Sequence, residues 1–196
     1  MDPDASTRTP AQAKNLARFS LLLIAEEQIT PELDAAIREL LGICFRPDVG
    51  VFSQTRHWHG SAPAYSLVHQ RNCQALGHVG IVVRTVLAGG TPVKVAGIQN
   101  LAVRPNWRGT GLGAKLMAAA LDEARRRGIS HGLLFCAPTL EKFYRALGWA
   151  TVPASVIMLD EQGRRVPIPG KNICMVKPLS ATPFPPGVID LQGADW

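Results

Sequence analysis

Apolar residues along this chain come mostly in short runs bounded by glycine and proline, and only a few stretches repeat them at helical spacing. The run FSLLLIAEEQI from Phe19 reads as a strand. Thr30 and Pro31 end it, supplying an N-cap and a proline at the first helical position. Leu33, Ile37, Leu40 and Leu41 then share one face and predict a helix to about Cys44. The following RPDVGVFSQTRHWHGSAP shows neither period and reads as a long loop with room for a short helix, and loops of that kind in a compact domain are usually functional or mobile. Strands are predicted at about 64–70, 76–87 and 91–103, the last two joined by AGGT, a hairpin signal.

Further on, Leu112, Leu116, Ala120 and Ala124 form a helical stripe that stops at Arg125, Arg126, Arg127 and Gly128, basic residues and a glycine being regular C-terminal signals. HGLLFCA reads as a short buried strand. PTLEKFYRALGW is a short helix with Pro138 at its start and Gly148 past its end, with Leu140, Phe143, Tyr144 and Leu147 in helical spacing. Strands around 151–159 and 172–176 precede a proline-rich tail. The order of elements predicts an α/β fold whose mixed central sheet is flanked by helices, since hairpins give antiparallel pairs and helical crossovers do not. Residues 1–18 read as a disordered leader, 19–178 as one domain, and 179–196 as the tail.

Composition narrows the function classes. With 46% hydrophobic and 18% charged residues the chain is an ordinary globular protein. Its net charge of +6 suggests an anionic partner. The basic residues are not gathered with aromatics into a stripe, so a nucleic-acid partner is not expected. The apolar run LLLIA is too short for a signal core or a membrane span, so a cytoplasmic protein with no membrane partner is expected. The four cysteines, Cys44, Cys73, Cys136 and Cys174, form no CxxC pair and indicate neither a disulfide framework nor a metal site.

The chemistry concentrates in LAVRPNWRGTGLGAKL, from Leu101 to Leu116. A strand that turns through glycines into a helix presents unpaired N–H groups where the helix dipole favours an anion. Gly109, Gly111 and Gly113 let the backbone come close to a ligand, and Arg108 adds a fixed positive fork. The spacing is neither a Walker loop nor a clean dinucleotide fingerprint.

With Arg108, Gly111 and Gly113 as its core, this stretch resembles the acetyl-CoA-binding motif of the GCN5-related N-acetyltransferases (GNAT), and Phe143, Tyr144, Gly148 and Trp149 resemble that family's second, aromatic motif. The resemblance covers roughly residues 19–178 and implies a GNAT-like, mostly antiparallel sheet and acetyl-CoA as cosubstrate. It implies that the backbone of Arg108, Gly109, Thr110, Gly111, Leu112 and Gly113 holds the pyrophosphate. Leu101, Ala102 and Val103 would pair with the pantetheine amides, and Tyr144 would protonate the departing sulfur. Many relatives carry a basic Glu on the strand before the turn, where this chain has Gln99 and Asn100. Those amides take no proton at neutral pH but can hold a water or the substrate. His57, His59 and His78 are the candidate bases.

Two subfamilies are resembled more narrowly. Arg56, Trp58, Gly60, Pro63, His78, Gly80 and Arg84, with Pro186, Gly187, Ile189 and Asp190 in the tail, are similar to the nodulation acyltransferase. VRPNWRG and the ending Asp195-Trp196 resemble the aminoglycoside 2'-N-acetyltransferases. Both acylate the 2-amino group of a hexosamine, and the retained Arg108 favours a short acyl-CoA over a carrier-bound fatty acid. The implied substrate is thus a small amine, an amino sugar or aminoglycoside, with Trp58, His59, Gln99, Asn100, Asp190, Asp195 and Trp196 as its binding residues. The tail reads either as a solvated terminus or as a cover held over the cleft by its prolines. Acetylation of another small amine or a peptide amine, or a catalytically inactive CoA-binding sensor, are the alternatives. A homodimer is compatible with this reading.

Overall fold

A computed structural model describes residues 19–168, 170 and 172–196, so the expected leader at 1–18 lies outside the described residues. The first strand, β1 (Phe19–Ala25), leads into α1 (Pro31–Cys44), whose N-cap Thr30 accepts a hydrogen bond from the Leu33 N–H at 3.3 Å. The long loop carries one turn of helix, α2 (Val49–Phe52). A meander follows, of β2 (Tyr65–Arg71), β3 (Gln74–Ala88) and β4 (Thr91–Val103). Next come α3 (Leu112–Arg126), β5 (His131–Cys136) and α4 (Glu141–Ala146). The last third is strand-rich: β6 (Ala150–Thr151), β7 (Val156–Leu159), β8 (Arg165–Pro167), β9 (Ile173–Pro178) and β10 (Ile189–Asp190).

All these strands join one mixed sheet, in the order β6-β9-β5-β4-β3-β10-β7-β8, with β1 and β2 added on β3. Among the described residues the pairs are antiparallel except β4 with β5, which the α3 crossover joins, and β10 with β7. The expected mixed, mostly antiparallel sheet is therefore present. The helix α3 lays Leu112, Leu116, Met117, Ala120, Leu121 and Ala124 on one face of it. Ile37, Leu40 and Leu41 of α1 meet Phe52, Val68, Ala75 and Ala102 in a second cluster. A third cluster joins Val95 and Leu133 to Val156, Ile189, Leu191 and Trp196.

Two expectations need correction. The single strand expected at about 151–159 is two strands in different places: β6 pairs with β9, while β7 pairs with β8 and β10. Pro153, which has no N–H to donate, stands between them, and the chain changes partners there. The strands β8 and β10 were not expected, because segments this short show no alternation. β10 draws the tail into the sheet between β3 and β7, with Ile189 and Leu191 fully buried.

Candidate active site

The parallel ladder between β4 and β5 runs from Val95 opposite His131 to Ile98 opposite Leu134 and stops. Beyond it the two strands separate. The cause lies on the other side of β4, where the register to β3 steps from Gly80 opposite Gln99 to His78 opposite Ala102, so that β4 carries one extra residue. Asn100 absorbs it with φ of +52°, a left-handed backbone that Asn tolerates better than most residues. Such a bulge bends its strand and re-aims the side chains that follow. Ala96 and Ile98 face the α3 core before it, and Leu101 and Val103 face that core after it. The outcome is a V-shaped opening whose β4 edge, among the described residues, is free of a partner strand, and an extended amide-bearing ligand can pair with such an edge.

At the mouth of the V, β4 runs through a turn at Pro105–Trp107 into α3. Gly109 and Gly111 stand at φ of +77° and +81°, and a Cβ on either would meet nothing within 4 Å, so the turn needs these glycines for backbone conformation and leaves open space over them. Gly111 is the N-cap of α3 and no side chain caps the helix. Lys115 N–H donates to Gly111 O at 3.1 Å, so the N–H groups of Leu112, Gly113 and Ala114 precede the helical ladder. Arg108 is tied back through Nε to Val103 O at 3.2 Å, and the Thr110 hydroxyl donates to Trp107 O at 2.8 Å. Because Cys44 Sγ also donates to Val103 O, that carbonyl is already engaged by protein. A Cβ on Gly113 would touch both Phe143 Cζ and Val103 Cγ2 at 3.6 Å, so α4 closes over the same point.

Tyr144, one residue on, is 7% exposed. Its ring meets Phe143 and Trp149 edge-on, with centroids 5.0 and 6.2 Å apart. Among the described residues its hydroxyl has no hydrogen-bond partner. Burial, and then the Cys136 thiol beside it, push its pKa well above the usual phenol range, so Tyr144 is a neutral donor at every working pH.

The opposite wall is a polar network built on the bulge. Gln99 Nε2 donates to Ser61 O at 2.7 Å, and Gln99 Oε1 lies 3.5 Å from the Trp58 N–H. Asn100 Nδ2 donates to Arg56 O at 2.8 Å, while its Oδ1 is buried without a partner. Arg56 itself is buried and paired with Glu26 and Asp34, each at 2.6 Å, which ties the loop to α1 and the end of β1. The amides of Gln99 and Asn100 thus fasten the loop over residues 56–61. The loop in turn holds the end of the tail: Ser61 Oγ donates to Ala194 O at 3.2 Å, Arg84 Nη1 donates to the same oxygen at 2.5 Å, and His59 contacts the Asp195 carboxylate through Nδ1. The Trp196 ring lies against Phe135 at 5.5 Å and under the Arg84 guanidinium at 5.2 Å. Beside His59 and Ala194 opens a pocket of about 460 Å³, floored by Met158 and Leu159 and edged by Asp160 and Glu161.

Of the residues expected to bind substrate, His59, Gln99, Asn100, Asp195 and Trp196 come together here. Two do not join them. Trp58 packs edge-on against Phe52 at 4.7 Å and Phe45 at 6.3 Å, and Asp190 is buried in β10, ion-paired with Arg165. Among the candidate bases, His78 is fully buried, with Nδ1 3.0 Å from Asn100 O and Nε2 3.2 Å from Ser66 Oγ, and burial first of all holds its pKa down at about 4. It is a packing group. His57 is half-buried, with burial lowering its pKa and Nδ1 buried without a partner. Ser61 carried no signal in the sequence, and Arg84 stood out only through a resemblance; a loop serine and a strand arginine announce no common partner until the tail folds back onto both.

The sequence model of the Acetyltransferase (GNAT) family matches residues 34–149, a span that holds both the glycine turn and Tyr144. An uncharacterized N-acetyltransferase ycf52-like of Prochlorococcus marinus is 36% identical over 64 residues, 33% of this chain and 36% of that protein. The chloroplastic serotonin N-acetyltransferase 2 of Oryza sativa subsp. japonica is 33% identical over 69 residues, 35% of this chain and 34% of that protein. Each match thus spans about a third of the relative. Over nearly the whole chain, the fold is that of a GNAT family N-acetyltransferase (YhbS) from Escherichia coli in complex with CoA, with a TM-score of 0.63 at 20% identity, covering 89% of this chain and 91% of that one. With the family match covering more than half of its length, the chain belongs to the GNAT family of acetyltransferases.

Proposed function

We propose that the protein transfers an acetyl group from acetyl-CoA to the amino group of a small cationic substrate, with the 2-amino group of an amino sugar or aminoglycoside as the favoured class. The observation that carries this reading is the coincidence, around one V-shaped opening, of the open β4 edge, the uncapped start of α3 and Tyr144, a largely buried residue whose hydroxyl has no protein partner among the described residues. An anionic, amide-bearing thioester suits all three. Bound acetyl-CoA would supply the acyl carbon that an amine attacks.

The residues divide the work. The N–H groups from Gly109 to Gly113 and the Arg108 guanidinium would hold the pyrophosphate, the Arg108 N–H itself being donated to Pro105 O at 3.1 Å. Leu101 to Val103 offer backbone groups along the V to the pantetheine arm, apart from the Val103 carbonyl. Tyr144 lies beside Cys136, at the end of β5 where the V has opened. A phenol with a raised pKa is a weaker acid than a thiol, whose ordinary pKa is about 8.5, so Tyr144 acts chiefly by donating a hydrogen bond to the sulfur as negative charge builds there. Gln99 and Asn100 fix the loop that forms the substrate wall. On that side the carboxylates of Asp195 and Glu161 favour a cation, in contrast to the net positive charge of the chain, whereas Asp160 is already paired with Arg164 at 2.8 Å.

The test is acetyl transfer from acetyl-CoA, followed by free-thiol release, across aminoglycosides including kasugamycin and simple glucosamine derivatives. Turnover on sugars bearing a 2-amino group, and none on their 2-hydroxy counterparts, supports the amino-sugar reading. Turnover confined to other amines removes it while keeping the transferase. CoA binding with no turnover on any amine points to a sensor.

A further inference from the structure

We propose that His59 is the base that deprotonates the attacking ammonium and that Asp195 is the positioning residue that holds its ring for the task; this rests on the transferase reading above.

The geometry is that of an oriented imidazole. His59 meets the Asp195 carboxylate through Nδ1. A carboxylate on Nδ1 fixes the tautomer with the proton there, which leaves Nε2 with a free lone pair. Among the described residues Nε2 has no partner. The two side chains differ in exposure in the sense this role needs: His59 is 52% exposed and lines the pocket of about 460 Å³, whereas Asp195 is only 13% exposed.

The backbone is arranged around the pair. His59 stands at φ of +42°, a conformation uncommon for any residue but glycine, and Gly60 follows at +74°, so the loop turns sharply where the ring is presented. On the other side, Ser61 Oγ and Arg84 Nη1 both donate to the carbonyl of Ala194, the residue before Asp195. Ser61 is in turn held by Gln99, the first β4 residue past the ladder with β5, and Trp196 packs on Phe135, the first β5 residue past it. The pair therefore sits on the substrate side of the V. Neither other candidate offers this: both nitrogens of His78 are engaged in the core, and among the described residues the His57 ring hydrogen-bonds no carboxylate, feeling Glu26 only through its charge. The charged groups around His59 are Asp195 in contact, Arg84 behind that carboxylate, and, across the pocket, Glu161 and Asp160, the latter paired with Arg164 at 2.8 Å.

The step balances without any further reagent. Nε2 takes a proton from the substrate ammonium, leaving a neutral amine and an imidazolium stabilised by Asp195. The nitrogen lone pair then forms the bond to the acyl carbon, and the carbon–sulfur bond breaks with its electron pair on sulfur. As the amide forms, the second nitrogen-borne proton passes to the thiolate, which ends as a thiol, and the imidazolium gives its proton to solvent, so that one proton is released per turnover.

The experiment is kcat/KM against pH for the unsubstituted protein, His59→Gln and Asp195→Asn, with glucosamine and a 2'-amino aminoglycoside as probes, together with the imidazole nitrogen shifts of His59 by NMR. A positioned base contributes about 10² to 10⁴-fold, so His59→Gln should lose on the order of 100-fold near pH 7. The loss should shrink as the pH approaches the pKa of the probe amine, because the amine then loses its proton to solvent. The shifts should report the proton on Nδ1, and Asp195→Asn should move it to Nε2. Unchanged kcat/KM and pH profile in His59→Gln, or a proton on Nε2 in the unsubstituted protein, overturns the assignment while leaving the transferase reading intact. No acetyl transfer by the unsubstituted protein to any amine overturns both. Should a variant fail to fold, the nitrogen shifts of the unsubstituted protein still decide.

Discussion

The indole of Trp196 occupies the space that a side chain at Gly97 would need: a Cβ on Gly97 would come within 2.4 Å of Trp196 Cε2 and 2.6 Å of Cζ2. A glycine in the central strand β4 and an aromatic residue at the far end of the chain are thus one packing unit. Through it the tail enters the core instead of lying over the surface. Gly97→Ala should push the indole out and destabilise the fold by about 1–3 kcal/mol, as overpacking does. Combined with Trp196→Ala it should cost much less than the two single changes together, since one removes what the other collides with. Thermal or denaturant unfolding of the three variants checks this.

Tyr144→Phe separates stability from chemistry. Among the described residues the hydroxyl makes no protein hydrogen bond, so its loss should leave the unfolding midpoint within the range of a neutral substitution. If it supports the departing sulfur as a hydrogen bond to a charged group, worth about 1.5–3 kcal/mol, kcat should fall about 10 to 100-fold with little change in KM. Unchanged turnover under conditions where chemistry is rate-limiting would remove Tyr144 from the reaction.

Gly111→Ala acts on the phosphate turn. At φ of +81° an L-residue pays left-handed strain of about 1–2 kcal/mol, and nothing crowds the site to add to it. The strain is relieved by distorting the turn, so CoA affinity should fall by about 10-fold, read by calorimetry. Arg108→Gln should weaken CoA as well, and more at low ionic strength than at high, because the charge it removes is exposed and screened.

His78 makes folding stability depend on pH in a stated direction. Burial holds its folded pKa at about 4, against 6.5 when solvated, so between these values the unfolded chain takes up a proton that the folded chain does not. Stability therefore falls as the pH drops from 6.5 to 4, by up to about 3 kcal/mol from this group. Above 6.5 it contributes no slope. A fold-compatible substitution by Gln should flatten that part of a denaturant-derived stability profile.

Much of the architecture was legible in the sequence because its signals are local. Thr30-Pro31 and Gly128 bracket helices whose faces recur at helical spacing, and AGGT closes a hairpin whose strands are long enough to be read. What was not legible depends on distant partners. The two residues of β10 have no pattern of their own and become a strand only because β3 and β7 present edges on either side. The bulge at Asn100 is a difference in residue count between β3 and β4, which neither strand reveals alone. In the site, the glycine turn and the Phe143-Tyr144 pair could be read because each is contiguous. The contact of His59 with Asp195 spans 136 positions and needs the tail to fold back along the sheet. The sequence presents Gln99 and Asn100 as groups for the substrate or a water, and only the folded chain shows that their amides also fasten the loop that carries His59.

The most direct measurement of the central claim is acetyl transfer from acetyl-CoA to glucosamine and 2'-amino aminoglycosides, with thiol release and N-acetylated product quantified together. One thiol should be released per amide formed, and the rate should fall at least about 10-fold in both His59→Gln and Tyr144→Phe while CoA still binds. CoA bound with no thiol released in the presence of any amine would contradict the claim.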